Sequence, residues 1–105
     1  MKLIIGGAGF IGSVLVKKLV EKNDDVIIID KLSLGSTKYI DTSKVEFHSL
    51  DINDIESVLS VLDNKKVSEV WHLAANSDIS AGVENVDVDL NDTFLSTVST
   101  LKVME

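Results

Sequence analysis

Residues 3–12 read Leu3-Ile4-Ile5-Gly6-Gly7-Ala8-Gly9-Phe10-Ile11-Gly12, an apolar run followed directly by four glycines within seven positions. The apolar run is typical of a buried strand, and the residues after Gly12 continue as an amphipathic helix. The glycines therefore lie at a strand-to-helix turn. A turn without side chains lets backbone N–H groups approach an anion, and a helix N-terminus adds unpaired donors and about half a positive charge. This stretch predicts a phosphate-binding turn.

Strand and helix patterns alternate along the whole chain. We predict strands at 3–5, 26–29, 45–48 and 70–75, with helices over 11–22, from the capping box Asn53-x-x-Glu56 onward, and over 86–105. Two apolar faces are expected to pack on the core: Ile11, Val14, Leu15, Leu19 and Val20 in the first helix, and Leu90, Phe94 and Leu101 in the last. The alternation favours an α/β fold, a doubly wound parallel sheet of the Rossmann type with helices on both faces. The expected strand order is 3-2-1-4.

The glycine turn fits two dinucleotide-binding patterns, G-x-G-x-x-G through Gly7, Gly9 and Gly12 and G-x-x-G-x-x-G through Gly6, Gly9 and Gly12. Asp30 follows the second predicted strand, 18 residues after Gly12. Its carboxylate can accept hydrogen bonds from a ribose and would repel a 2′-phosphate, so we predict a site that prefers NAD to NADP. A tight turn in some other doubly wound domain is the alternative, although it does not account for Asp30. A phosphate-loop NTPase is disfavoured because no Gly-Lys-Ser/Thr follows.

Composition excludes several classes of function. The 105 residues carry a formal charge of −7, and all ten basic residues are lysines, so a nucleic-acid partner is not expected. Without cysteine, neither a disulfide nor a thiolate site can form, and the short apolar runs do not predict a membrane span. Because the sequence runs directly into a strand pattern, we expect a cytoplasmic protein.

The histidines, the tryptophan and the isolated charges each have a structural interpretation. His48 and His72 lie within predicted strands without a second ligand at a useful spacing, so neither a metal site nor a catalytic role is predicted. Trp71 is assigned to the core. Lys31 is expected to be solvated, with an ion pair to Asp30 or a phosphate contact as alternatives. The acidic stretch 84–92 is expected to form a solvated helix face.

Several segments resemble the NAD-dependent epimerase/dehydratase family of extended short-chain dehydrogenase/reductases, in its UDP-glucose 4-epimerase-like branch. The matching segments are Ile4–Ser13, Asp30–Ser36, Asp51-Ile52 and Val70–Ala75, with a looser match over Ser99–Glu105. Ile5 stands where the family usually has threonine. The asparagine of the family's last helix corresponds to Ser96 or, in another register, to Asn91.

The resemblance implies a set of NAD-binding residues. Gly6, Gly9, Phe10, Ile11 and Gly12 would form the diphosphate turn, and Asp30, Lys31, Leu32, Ser33 and Gly35 would surround the adenosine. Asp51 and Ile52 would lie at the adenine, where Asp51 also has a structural interpretation as part of a turn. Leu73, Ala74 and Ala75 would run beneath the cofactor toward the second ribose.

The resemblance also implies an activity that these residues do not complete. The family transfers a hydride transiently from a nucleotide sugar such as UDP-glucose to bound NAD, using a Tyr-x-x-x-Lys pair and an upstream Ser or Thr. Tyr39 is followed by Ser43 at the lysine position, so no catalytic residue is predicted. We expect residues 1–105 to be an NAD(P)-binding domain truncated before the catalytic segment. An NAD-dependent dehydrogenase with net oxidation, a non-catalytic dinucleotide-binding module and a self-associating truncated chain remain alternatives.

We also expect a homo-oligomer. A sheet that ends at its fourth strand leaves an open edge, and open edges pair with other chains. Val88, Leu95 and Val103 are predicted to lie off the core face of the last helix. The resemblance places this helix in a dimer interface.

Overall fold

Four parallel strands form one sheet in the computed structural model, which describes residues 1–31, 40–75 and 79–105. The strands are β1 Lys2–Ile5, β2 Val26–Ile29, β3 Glu46–His48 and β4 Glu69–His72, in the order β3-β2-β1-β4. Ile4 pairs in register with Ile28 on one side and Trp71 on the other. The predicted fold class and strand order are confirmed. The fourth strand begins one residue earlier than expected and ends before residues 73–75.

The helices are α1 Phe10–Glu21, α2 Ile55–Leu62, α3 Ile79–Glu84, α4 Val86–Asp89 and α5 Ser96–Met104. A π-helical segment, Leu90–Leu95, joins α4 to α5 without a break. We call residues 86–104 the C-terminal helix. Its extent agrees with the predicted helix, whereas the π turn and the short α3 have no counterpart in the sequence analysis. No described helix is long and apolar enough to cross a membrane.

Apolar side chains cover both faces of the sheet, as the continuous apolar runs of β1 and β2 require. On one face, Ile4 and Ile28 pack with Val16 and Leu19 of α1. On the other, Leu3, Ile5, Ile27 and Ile29 pack with Val58 of α2. Val103 of the C-terminal helix joins this second cluster. The two layers fix the helices relative to the carboxyl ends of the strands.

The C-terminal helix packs with the face opposite to the one predicted. Its buried residues are Ser96, Ser99 and Thr100, whereas Leu90, Phe94 and Leu101 are 44%, 62% and 60% exposed. Val88, Leu95 and Val103, expected off the core face, are partly buried. The hydroxyls of Ser96 and Thr100 donate to carbonyls one turn earlier, each at 2.8 Å, so burying them leaves no donor unpaired. Small side chains also allow a close approach to the sheet.

The predicted core face of α1 is right in its second half and wrong at its start. Leu19 is buried, and Leu15 and Val20 pack against the same core. Ile11 and Val14, also assigned to the core, are 70% and 52% exposed. The first turns instead bury the small residues Gly12 and Ser13, which bring α1 close to the glycine turn.

Two further local predictions are wrong. Helix α2 is capped by Asp54, whose carboxylate accepts from the Ser57 backbone N–H, rather than by a box starting at Asn53. Trp71 is 41% exposed instead of buried, and its indole N–H donates to Glu69 at 3.2 Å. It lies on β4, which borders the described sheet, so packing covers only part of the ring.

Candidate functional site

A cavity of about 380 Å³ opens at the carboxyl ends of β1, β2 and β4. Strand order reverses at this point, because the chain moves from β1 outward to β2 and later returns to the other side of β1. Open α/β sheets bind their ligands at such a switch point, and the cavity volume falls in the range of ligand pockets. The lining residues are Ile5, Gly6, Gly9, Phe10, Ile11, Gly12, Ile29, Asp30, Lys31, Leu50, Asp51, Ile52, Leu73, Ala74, Ala75, Asn91, Asp92 and Ser96.

Three glycines of the turn face this cavity, and each lacks a side chain for a different reason. Gly6 has φ +85°, and a Cβ there would lie 2.6 Å from the Ala74 backbone nitrogen. A Cβ on Gly12 would lie 2.5 Å from the Gly6 carbonyl oxygen, so this glycine brings α1 against the turn itself. A Cβ on Gly9 would meet only that same oxygen, at an ordinary 3.6 Å. Internal packing therefore explains Gly6 and Gly12 but leaves the space beside Gly9 open to a ligand.

The two glycine patterns are distinguished by the position of Gly7. Gly7 is buried, and a Cβ there would lie 2.8 Å from the Ile28 side chain. The pattern that faces the cavity is therefore G-x-x-G-x-x-G through Gly6, Gly9 and Gly12.

The N-terminus of α1 points its first turn at the cavity. Gly9 is the N-cap residue and has no side chain to cap the N–H groups that follow it. These donors and the helix dipole favour an anion at this position. Phe10 and Ile11, which line the cavity beside them, are 85% and 70% exposed. The site thus combines an anion-binding helix end with an apolar wall.

Asp30 lies at the end of β2, beside the glycine turn. Its Oδ2 accepts from the Ala8 backbone N–H at 2.9 Å, and its own N–H donates to the His48 carbonyl at 3.2 Å. These two bonds hold the carboxylate at the rim of the cavity. A carboxylate in this place can accept from the hydroxyls of a ribose.

Asp51 and Ile52 line the same cavity from the loop before α2. One Asp51 oxygen accepts from the Asn53 backbone N–H at 2.9 Å, so the turn role and the position at the cavity are both present. Ile52 is buried in the core beneath the sheet face that carries Ile5 and Ile29.

Lys31 makes an ion pair with a residue of the C-terminal helix. Its ammonium lies 2.5 Å from Asp92 Oδ1, a residue 61 positions later in the chain. Lys31 is exposed, in line with the expectation of a solvated lysine, but its ion pair is with a distant carboxylate and not with Asp30. Asp92, assigned to a solvated face, is only partly exposed. The C-terminal helix packs on α2 and β4, and this packing brings Asp92 to Lys31. Such a long-range contact has no local sequence signal.

Asn53 fastens the C-terminal helix over the cavity. Its side-chain N–H donates to the Asn91 carbonyl at 3.0 Å, and its oxygen accepts from the Ser99 hydroxyl at 2.7 Å. Asn91 and Ser96 both line the cavity, so the two alternative positions for the family's asparagine face the same space. The Ser96 hydroxyl is already bonded to the Asp92 carbonyl.

The remaining predicted contacts fall into two groups. Leu73, Ala74 and Ala75 follow β4 and line the cavity, and the Leu73 N–H donates to the Ile5 carbonyl at 2.7 Å. Leu32, Ser33 and Gly35 lie outside the described residues, as does Tyr39.

The two histidines take part in local hydrogen bonds. His72 Nε2 lies 3.1 Å from the Thr97 hydroxyl, and Nδ1 lies 3.2 Å from the Thr100 hydroxyl. Partial burial lowers the pKa of His72 below its ordinary value of 6.5. His48 lies 2.7 Å from Glu46, and this hydrogen bond is the main cause of the lowered pKa of Glu46. Among the described residues, no group of three potential metal ligands is found.

Comparison with known proteins places this geometry in a family. The family model described as GDP-mannose 4,6 dehydratase matches residues 3–105. A UDP-glucose 4-epimerase of Lactobacillus helveticus is 35% identical over 97% of this chain and 31% of its own length. The crystal structure of a Thermotoga maritima UDP-glucose 4-epimerase with UDP-glucose is 30% identical, with a TM-score of 0.90, over 97% of this chain and 33% of that one.

A third similar protein was solved with a dinucleotide. The Thermus thermophilus UDP-glucose 4-epimerase in complex with NAD is 30% identical, with a TM-score of 0.88, over 98% of this chain and 33% of that one. The chain thus spans about a third of the length of the relatives it matches.

Proposed function

Because this chain belongs to the GDP-mannose 4,6 dehydratase family, we propose that it is the NAD-binding portion of a nucleotide-sugar epimerase of the UDP-glucose 4-epimerase type. The observation that carries the proposal is the open space beside Gly9, at the start of α1 and next to Asp30. Both features suit a dinucleotide, since one admits a diphosphate and the other faces a ribose.

The residues of the cavity would divide the binding between them. The first N–H groups of α1 and the turn at Gly6, Gly9 and Gly12 would hold the diphosphate. Asp30 would accept from the adenosine ribose, Asp51 and Ile52 would border the adenine, and Leu73–Ala75 would support the second ribose. Lys31 lines the same cavity and would lie beside the adenosine. We propose that Leu32, Ser33 and Gly35 also surround the adenosine. NAD supplies a hydride acceptor when bound.

The test is binding of NAD, ADP-ribose and NADP to this chain, measured by calorimetry. We expect NAD and ADP-ribose to bind more tightly than NADP. Asp30→Asn keeps an acceptor for the Ala8 N–H but removes the charge, so we expect the Kd for NAD to rise about tenfold and the preference over NADP to narrow.

Asp25→Asn is the matched control, because Asp25 is exposed at the opposite end of the same strand and does not line the cavity. Equal affinities for NAD and NADP in the unaltered chain, or an Asp25→Asn effect as large as that of Asp30→Asn, would contradict the assignment.

The activity we propose belongs to the whole protein that contains this chain. Its relatives include UDP-glucose 4-epimerases, which supports a nucleotide sugar as substrate. Interconversion of UDP-glucose and UDP-galactose by the whole protein, followed by chromatography of the nucleotide sugars, tests this. Net reduction of added NAD without epimerisation would favour the dehydrogenase alternative.

We also propose that the protein acts in the cytoplasm, where NAD and nucleotide sugars are both available.

We propose further that the protein is a homo-oligomer that pairs through its C-terminal helix. The apolar side chains on its outer face are Val86, Leu90, Phe94, Leu101 and Met104, each between 44% and 71% exposed. A contiguous apolar face of this kind is typical of a protein interface. A second copy offers an identical face, so the two can pair about a two-fold axis.

A further inference from the structure

We propose that Asp92 is a specificity-determining residue that strengthens the preference for NAD over NADP by engaging Lys31. This inference rests on the proposed function, because it concerns the dinucleotide that would occupy the cavity. NAD and NADP differ only by a phosphate on the adenosine ribose, which is the group that faces the end of β2.

The charges around the cavity are unequal. Its lining includes three carboxylates, those of Asp30, Asp51 and Asp92, and Lys31 is the only cationic residue among the described lining residues. A 2′-phosphate carries more than one negative charge and is bound in other dinucleotide sites by a cation near the end of the second strand. Lys31 directly follows Asp30 and is, among the residues that the structure describes, the one that could supply such a cation.

The ion pair takes this cation away from the ribose. Lys31 Nζ lies 2.5 Å from Asp92 Oδ1, and the two side chains are 36% and 22% exposed. A phosphate that used Lys31 would have to share the ammonium with the Asp92 carboxylate or displace it, and in both cases it would lie close to that negative charge. Asp92 therefore opposes the 2′-phosphate twice, by neutralising Lys31 and by its own charge.

Asp92 is held in place by the helix that carries it. It lies in the π-helical segment, and π turns are frequent at functional sites. Asn53, in the loop before α2, donates to the Asn91 carbonyl, and within the helix the Ser96 hydroxyl donates to the Asp92 carbonyl. The residue next to Asp92 is thus tied to the loop that borders the cavity.

The experiment measures the ratio of the Kd for NADP to the Kd for NAD by calorimetry at low ionic strength. A partly exposed ion pair contributes up to about 1 kcal/mol, which corresponds to about five-fold in affinity. We therefore expect Asp92→Asn to lower the ratio about five-fold, and 0.5 M salt to reduce this change. In the double variant Lys31→Met with Asp92→Asn, we expect the ratio to return most of the way to the value of the unaltered chain.

Asp87→Asn is the matched control, since it removes the same charge from the C-terminal helix at an exposed position outside the cavity lining. Its ratio should equal that of the unaltered chain. Thermal unfolding confirms that each variant is folded, and Asp92→Ser serves as a second neutral substitution.

Each outcome decides the proposal. An unchanged ratio in both Asp92 variants, with NAD still bound, overturns the inference and leaves the proposed function standing. The same fall in the ratio with Asp87→Asn also overturns it, and so does a fall of full size when Asp92→Asn is made in a Lys31→Met background. A chain that binds neither dinucleotide overturns the proposed function and the inference together.

Discussion

Gly9 and Gly12 carry the same side chain, a hydrogen, but for different reasons. A Cβ at Gly9 meets an atom at 3.6 Å, whereas a Cβ at Gly12 meets backbone at 2.5 Å and 2.7 Å. We predict that Gly9→Ala changes the free energy of unfolding by less than about 1 kcal/mol and weakens NAD binding at least tenfold, because the methyl group fills the place of the diphosphate.

Gly12→Ala should instead lower the free energy of unfolding by about 1–3 kcal/mol, because its methyl group would overlap the backbone of the turn.

Urea unfolding and calorimetry with NAD check the two substitutions side by side. The comparison is its own control, since both add one methyl group to the same turn. A Gly9→Ala variant that binds NAD normally would show that the ligand does not approach this residue.

We expect His72 to make the stability of the folded protein depend on pH in the mildly acidic range. Its folded-state pKa lies below the ordinary value of 6.5, so the folded state binds fewer protons than the unfolded state as the pH falls through that value. Stability contributed by the neutral ring is therefore present above about pH 6.5 and is lost below it. We predict that His72→Gln, which can still bond to the hydroxyls of Thr97 and Thr100, loses less stability than the unaltered chain between pH 7.5 and 5.5.

Urea unfolding at the two pH values measures this difference, and an NMR titration of the His72 ring locates its pKa directly. A His72 midpoint above 6.5 would reverse the sign and contradict the prediction.

Among the elements, the strands followed from sequence more closely than the helix faces. Ile27, Ile28 and Ile29 form a continuous apolar run, which is typical of a strand that is buried on both faces of a parallel sheet. The predicted core face of the C-terminal helix is wrong because its apolar side chains point outward while Ser96 and Thr100 are buried. Hydropathy assigns hydroxyl groups to solvent, and it does not register that a helix can satisfy them with its own carbonyls.

Asn53 links two elements, and its removal tests how much the C-terminal helix depends on that link. We predict that Asn53→Ala costs about 1–2 kcal/mol of stability, because the Asn91 carbonyl and the Ser99 hydroxyl both lose their partner. Ser99→Ala should cost less, since the bond to Asn91 remains. Urea unfolding of both variants and of the double variant gives the coupling between the two residues.

Hydrogen exchange locates the effect. Asn53→Ala should increase exchange in the π-helical segment more than in α1, which packs on the opposite face of the sheet. Equal increases throughout the chain would contradict a local role.

At the scale of the whole molecule, the contacts that the sequence could not reveal are those between distant segments. The glycine turn and Asp30 lie within a single strand–helix–strand unit, so a pattern of fixed spacing finds them. Lys31 and Asp92 are joined only when the complete fold has packed the C-terminal helix on α2 and β4. The same holds for Asn53, whose partners lie 38 and 46 residues away.

The exposed apolar side chains on the outer face of the C-terminal helix predict that the protein forms a dimer. We predict a dimer at micromolar concentration in the unaltered chain, and a monomer after Phe94→Glu with Leu101→Glu, because charges on an apolar interface are costly to bury. Light scattering coupled to size-exclusion chromatography measures the mass. Lys102→Glu, an exposed charge change on the same helix, is the control. A monomer at every concentration in the unaltered chain would refute the prediction.

The π-helical segment has one further consequence, for the tolerance of this helix to changes in length. A turn closed by bonds to the fifth residue holds more chain than an α turn of the same rise. Deleting one residue between Asp89 and Ser96 would let this turn tighten into an ordinary one, and the hydroxyls beyond it would keep their orientation toward the sheet. The same deletion within Ser96–Met104 would rotate everything after it by about 100°. Variation in length should therefore be absorbed within residues 90–95.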